Sequence, residues 1–318
     1  MADRRLVWFD LFYDLVFVAA LVNGAHLFQE EPTVAIGFWL GATLVVMLVI
    51  WILTVLHANL FPRDNWLRRA LVLLQMFSVA VAILAIGRKT ESLPDNLGFL
   101  ALGVAFLSIA LMYASSDQSR YRREARLVTW SSGLAGAIFI AGAPFAESGV
   151  RIEQSIFTAG VLVGCVPVYW TLAGRLVGTH LNAEHFSERL GELLVIVLGE
   201  SFVEVVIRLD GFTHFPNFPI LVVAFLITFA TWSFYFTLIE PRQMPRAAGP
   251  LRLWFLSYCL LIFGLMAVAT RAGQLVVRPW RETFTTLPWI WTVMPIVYIS
   301  IAMTGLYRIS RRYPLLQR

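Results

Sequence analysis

VAIGFWLGATLVVMLVIWILTVL, residues 34–56, runs for 23 positions without one charged side chain. A helix rises about 1.5 Å per residue and needs roughly 20 apolar residues to cross the hydrocarbon of a bilayer. The stretch therefore reads as a membrane span. Laid along the whole chain, the same ruler gives ten candidates: 6–28, 34–56, 67–86, 97–114, 127–146, 153–173, 189–207, 218–239, 251–271 and 288–307. The connections are short, and most hold helix breakers such as Pro32, Pro62, Pro94, Pro216, Pro219, Pro241 and Pro250. The pattern predicts an all-α, polytopic transmembrane helical bundle of about ten spans, folded as a single transmembrane domain over 1–318.

Composition agrees. Of 318 residues, 58% are hydrophobic and 14% charged, where soluble domains carry roughly 25% charged residues. The net charge of +5 rests almost wholly on arginine, with Lys89 the one lysine. No basic stripe interleaved with aromatics lies outside the spans, so nucleic acid is not an expected partner. Cys165 and Cys259 both fall in apolar segments, where they read as packing residues rather than a disulfide or zinc pair. No cleavable signal peptide is expected, because two aspartates interrupt the first apolar stretch and no small-residue cleavage site follows it. Trp8, Trp66, Trp130, Trp254 and Trp280 lie near span ends, as an interfacial belt would place them.

Basic residues set the orientation. With the N-terminus and every second loop on the cytoplasmic side, that side collects 18 of the 25 basic residues, and the other collects 7. Both termini are then cytoplasmic, although the 271–281 loop places three arginines outside. Gly133, Gly136, Pro144, Gly160, Gly164, Pro167 and Pro295 lie inside spans. They read first as packing and kink residues, Gly160 and Gly164 having the spacing that lets helices approach closely.

Carboxylates stand out against this background. Asp10 and Asp14, four apart on the first span, share one face near the cytoplasmic end, with Asn23 and His26 toward the far end. At the entry to the seventh span His185, Glu188, Arg189 and Glu192 fall on one face, and Gly199-Glu200-Ser201 follows within it. Glu200 lies about 11 residues in, near the bilayer midplane at about 1.5 Å per residue. An acidic side chain at that depth costs on the order of 2.5–3.5 kcal/mol on insertion scales. A carboxyl that trades its proton there is what a proton relay or cation site requires. Plainer readings stand beside each. Asp10 and Asp14 can pair with Arg4, Arg5 or another loop arginine, Glu188 with Arg189, and Glu204 with Arg208 one turn on. Gln75 and Ser78 serve equally as carboxylate partners or as glue between helices. Adjacent helical residues point about 100° apart, so Glu200 and Ser201 form no relay by themselves.

Asp10-xxx-Asp14-Leu-Val-Phe-Val also lines up with Glu188-xxx-Glu192-Leu-Leu-Val-Ile-Val, a hint of internal duplication with parallel copies.

These same segments carry a family resemblance. Asp10-Leu-Phe-Tyr-Asp-Leu-Val-Phe-Val resembles the N-terminal signature of the bacterial low temperature requirement A (LtrA) proteins. Glu188-Arg-Leu-Gly-Glu, followed by Val197-Leu-Gly-Glu-Ser201, is similar to that family's second signature. The family pattern usually opens on an acidic residue where this chain has Trp8-Phe9-Asp10. The resemblance implies a polytopic bacterial inner-membrane protein and little about mechanism.

Two function classes fit. One is a transporter or channel for a small solute or cation, proton-coupled or cation-coupled. Its candidate binding residues are Asp10, Asp14, His26, His185, Glu188, Glu192, Glu200 and Ser201, and it needs no cofactor and no resident metal. The alternative is a membrane-embedded enzyme acting on lipid, in which His26, His57 and His185 converge with Asp10 or Glu192. A retinal-type sensor is disfavoured, because Lys89 lies in a loop. Beyond the lipid bilayer, the expected partners are the solute or ion and, with nothing against it in the sequence, further copies in a homo-oligomer.

Overall fold

A computed structural model describes residues 9–19, 34–61, 65–87, 95–116, 121–146, 150–171, 183–207, 218–240, 242, 245, 247–276 and 290–313. The described residues form ten helices and no β-strand. These are α1 (9–19), α2 (Val34–Leu60), α3 (Trp66–Gly87), α4 (Asp95–Ala114), α5 (Arg122–Gly142), α6 (Val150–Thr171), α7 (Ala183–Ile207), α8 (Phe218–Phe234), α9 (Ala248–Val276) and α10 (Ile290–Ser310). Pro144 turns the end of α5 into a short 3₁₀ segment, Ala143–Phe145, and α8 runs on into a π-helical turn, Tyr235–Ile239.

Eight stretches of these helices are long and apolar enough to cross a membrane: Gly41–Leu60, Trp66–Ala85, Asn96–Ala114, Arg122–Phe145, Ile152–Tyr169, Phe218–Ile239, Gly249–Val276 and Val293–Ser310. They answer to eight of the ten sequence-predicted spans. Of the first predicted span, only 9–19 is described, all of it helical. The seventh lies within α7, which begins at Ala183 rather than Arg189 and carries Glu184, Glu188, Arg189, Glu192, Glu200 and Glu204. Every 18-residue stretch of α7 holds at least three of those charges, whereas each of the eight apolar stretches contains one of that length with at most two. Leu73, Phe77, Leu134, Leu162, Leu226 and Leu256 are among many large apolar side chains left exposed along the helices. Water-soluble monomers rarely tolerate so much exposed apolar surface. Lipid covers it here. Trp66 and Trp130 are also exposed, as an interfacial belt requires. Trp254 instead turns inward, stacked on Tyr258 with its indole N–H donated to Ser310 Oγ at 3.3 Å. Trp8 and Trp280 lie outside the described residues.

The chain forms two compact units, Met1–Gly24 with Trp39–Phe186 and Ala25–Phe38 with Ser187–Arg318. In the first, α3 packs on α4, α4 on α5, and α5 on α6. Four phenylalanines fill that stack: Phe106 lies face to face on Phe139 at 5.7 Å, while Phe99 and Phe157 meet Phe139 edge-on. Glycines make room for it. A Cβ on Gly160 would strike the Phe139 ring, and one on Gly164 would strike Phe106. At the crossing of α4 and α5, a Cβ on Gly136 would come within 2.9 Å of the Gly103 carbonyl oxygen and of Leu107 Cγ. The small-residue spacings in the sequence thus serve packing, as their plainer reading held.

In the second unit α9 packs on α10 and on α8. Val205 of α7, Ala224 of α8, and Ala272 and Val276 of α9 form a small buried cluster, with Ile220 and Leu221 against it. Tyr258 of α9 donates its hydroxyl to the Leu190 carbonyl of α7 at 2.5 Å. Each acidic pair of the suggested repeat falls in a different unit, Asp10 and Asp14 in the first, Glu188 and Glu192 in the second.

Gly136→Ala should therefore destabilise the protein by roughly 1–3 kcal/mol, the usual cost of overpacking. Gly41, which has open space where a Cβ would go, should tolerate alanine with a gain of up to ~1 kcal/mol. Unfolding titrations in mixed micelles compare the two variants; equal stabilities would show that the α4–α5 crossing is not tight.

Candidate functional site

The first constellation is built on one face of α1. Tyr13, Asp14, Phe17 and Val18 are buried while Phe12 and Leu15 are exposed, so the helix turns its acidic side inward. Asp10, at the outer end of that face, lies 3.9 Å from an Arg68 guanidinium nitrogen at the start of α3. Arg68 belongs to the loop-arginine group that the plainer reading offered to Asp10. A pair so long and partly exposed contributes about 0–1 kcal/mol.

Asp14 is different. It is wholly buried and accepts the Trp51 indole N–H at Oδ1, 2.8 Å away, from an equally buried tryptophan of α2. A hydrogen bond to an ionised partner is shorter and about twice as strong as one between neutral groups. One turn along α2, Thr54 Oγ1 lies 2.9 Å from the Ile50 carbonyl and 3.0 Å from the Gln75 side-chain amide of α3. Gln75 is also fully buried. One turn further, His57 Nε2 lies 2.7 Å from Ser116 Oγ and 3.2 Å from the Met112 carbonyl of α4. The Tyr113 ring stands edge-on to His57 at 5.0 Å, and its hydroxyl donates to the Leu53 carbonyl at 2.8 Å. The Arg68 charge is near enough to act on His57. A file of polar side chains therefore runs inward from Asp10, Arg68 and His57 to Thr54, Gln75, Trp51 and Asp14.

Sequence reasoning found Asp14 and Gln75, gave His57 a place only in the alternative enzyme cluster, and missed Trp51 and Thr54. Gln75 holds Thr54, and Ser78 returns its hydroxyl to the Leu74 carbonyl of its own helix. The signal available was the spacing of Trp51, Thr54 and His57 at three-residue intervals in an otherwise apolar helix.

The second constellation lies on α7. Glu188 is exposed. Arg189, expected beside it, is buried and donates from Nη1 to Glu192 Oε2 at 2.9 Å, one turn on. Glu192 and Glu200 are half-buried, His185 likewise, and Glu204 is buried. No hydrogen bond or ion pair reaches Glu200 from the described residues. Ser201 donates to the Val197 carbonyl at 2.6 Å, closing on its own helix. His26 and Arg208 lie outside the described residues, so the His26 assignment and the Glu204–Arg208 pairing fall there too. Among the described residues, no three His, Cys, Asp or Glu side chains gather as a metal site.

Both constellations sit in the segments whose motifs resemble the LtrA signatures, and the model of the bacterial low temperature requirement A protein family matches residues 5–318. The chain belongs to the LtrA family. This LtrA protein is also 24% identical over 254 residues to "Uncharacterized protein RA0937" of Rhizobium meliloti (strain 1021), covering 75% of the present chain and 60% of that relative. The match thus spans less than two thirds of the relative's length. No solved structure matches. With its many apolar helices, this LtrA chain is an integral, multi-pass membrane protein.

Removing the indole donor tests the energetics of the Asp14 site. Trp51→Phe should cost at least about 1.5–3 kcal/mol, the range for a hydrogen bond to a charged group, with lost ring packing in addition. A double-mutant cycle with Asp14→Asn isolates the coupling. A coupling indistinguishable from zero would mean the bond contributes nothing.

Proposed function

We propose that this LtrA protein is an inner-membrane transporter or channel for a small solute or ion, driven or gated through membrane-embedded carboxylates. In this reading Asp14 in the first unit, and Glu192 and Glu200 in the second, each exchange protons or hold a cation, with Asp10, His26, His185, Glu188 and Ser201 as further binding candidates. On the same reading both termini face the cytoplasm, the side to which the arginine distribution assigns 18 of the 25 basic residues. The observation that supports the reading most is Asp14: an ionisable side chain wholly buried in an apolar helix, oriented by a neutral indole N–H. Intramembrane acids are costly, and those that persist commonly mark ion or proton pathways. Glu200 adds a second, half-buried carboxyl within a helix otherwise rich in leucine and valine.

Reconstitution into liposomes carrying a pH-sensitive dye tests this. The wild-type protein should dissipate an imposed proton or cation gradient. Asp14→Asn and Glu200→Gln should each reduce that flux at least tenfold while remaining folded, since both amides are near-isosteric with the acids they replace. Gradients left undisturbed by the wild-type protein would refute the reading. Full flux through both variants would remove these carboxylates from it.

A further inference from the structure

We infer that the first unit holds an internal water site at the Gln75 amide and the His57 ring, through which protons pass between His57 and Asp14. The inference deepens the transport reading and rests on it for the proton's passage, but not for the water itself.

The amide of Gln75 has an open end whichever way it is turned. Thr54 has one hydroxyl proton to give. If that proton goes to the Ile50 carbonyl at 2.9 Å, the amide must present its NH₂ to Thr54, and its oxygen is left open. If it goes to the Gln75 oxygen at 3.0 Å, the NH₂ is left open, and it has no partner among the described residues. Gln75 is 0% exposed, so bulk water cannot satisfy that end. A second open atom lies nearby. His57 is 3% exposed, its Nε2 is engaged by Ser116 and Met112, and its Nδ1 has no partner among the described residues. With the Nε2 proton donated to the Met112 carbonyl, Nδ1 carries a lone pair and accepts.

Both open atoms lie beside the same stretch of α2: His57 is on it, and Gln75 of α3 is bonded to Thr54, three residues before His57. At about 1.5 Å per residue, the rise from His57 to Trp51, the residue that holds Asp14, is about 9 Å. Two or three water molecules in file cover that distance. Buried waters usually make two to four hydrogen bonds to polar groups that lack other partners. The donor set also selects the guest. One amide end and one imidazole nitrogen suit water, whereas sodium-like or calcium-like cations take a shell of several oxygens. The charged and titratable groups facing this site are Asp14 on α1, Arg68 on α3, Tyr113 on α4, and Asp10 through its contact with Arg68.

The transfer balances without any change in electrons. The Asp14 O–H breaks as a water O–H forms, that water releases another proton to the next, and the last water protonates His57 Nδ1. The imidazolium then gives its Nε2 proton to the Ser116 hydroxyl oxygen, 2.7 Å away, as Ser116 releases its own proton to water at the end of α4, and the ring is neutral again.

Radiolytic hydroxyl-radical labelling of the full chain in lipid nanodiscs tests the water. Trp51 and Trp254 are both buried, at 0% and 3% exposure, so they differ only in what lies beside them. Trp51 should label several-fold faster than Trp254. Gln75→Met, of similar length but apolar, should bring Trp51 down to the Trp254 rate and lower proton flux at least tenfold; His57→Gln should lower flux alike. Equal labelling of the two wild-type tryptophans overturns the water site whatever the flux. Fast labelling with no wild-type flux leaves the water site standing and removes the transport reading. Flux unchanged in both variants, with labelling lost in Gln75→Met, overturns the proton route.

Discussion

Inside hydrocarbon a hydrogen-bonding group has almost nowhere to turn except to another part of its own chain, and α2 shows what that constraint builds. Most of its length is buried, and it still carries Trp51, Thr54 and His57 into the interior. Each of those side chains reaches a different neighbour: Trp51 reaches α1, Thr54 reaches α3, and His57 reaches α4. Tyr113 returns a fourth bond from α4 to the α2 backbone. Apolar packing in a membrane has little preference for one helix face over another, since lipid tails are as oily as leucine. Directional bonds from one central helix supply the missing specificity. They fix which face of α1 points inward, and so bring Asp14 rather than Leu15 into the core.

The second unit handles its acids differently. Along α7 they grade from exposed Glu188, through half-buried Glu192 and Glu200, to buried Glu204. Arg189 turns to Glu192 one turn away, and Ser201 spends its hydroxyl on its own backbone. Cross-helix order here comes instead from Tyr258, bonded to the Leu190 carbonyl, and from the π-helical turn at Tyr235–Ile239. Such turns insert an extra residue into a helix and occur often at functional sites. The Tyr235 hydroxyl within this one is buried without a hydrogen-bond partner among the described residues.

Much of this architecture was legible in the amino-acid order because span length is a one-dimensional property. Twenty oily residues announce a span whatever surrounds them, and the i, i+4 spacing of Asp10 and Asp14 declares a shared face. Partners are another matter. Asp14 and Trp51 are 37 positions apart, and Thr54 and Gln75 are 21 apart. No periodicity within a single helix encodes which helices become neighbours. Tryptophan misleads in particular, since its usual home at the membrane surface describes Trp66 and Trp130 but not Trp51 or Trp254. Spacing along one helix is more legible: Arg189 bonds Glu192 one turn on, a pairing that i, i+3 neighbours allow.

The crossing of α4 and α5 has a mechanical meaning. Where Gly103 meets Gly136, main chain rests on main chain with no side chain between. Helices separated by leucines can slip by swapping rotamers, but bare backbone offers no such lubricant. Any rearrangement of the first unit must therefore carry this pair as one rigid plank and find its hinge elsewhere.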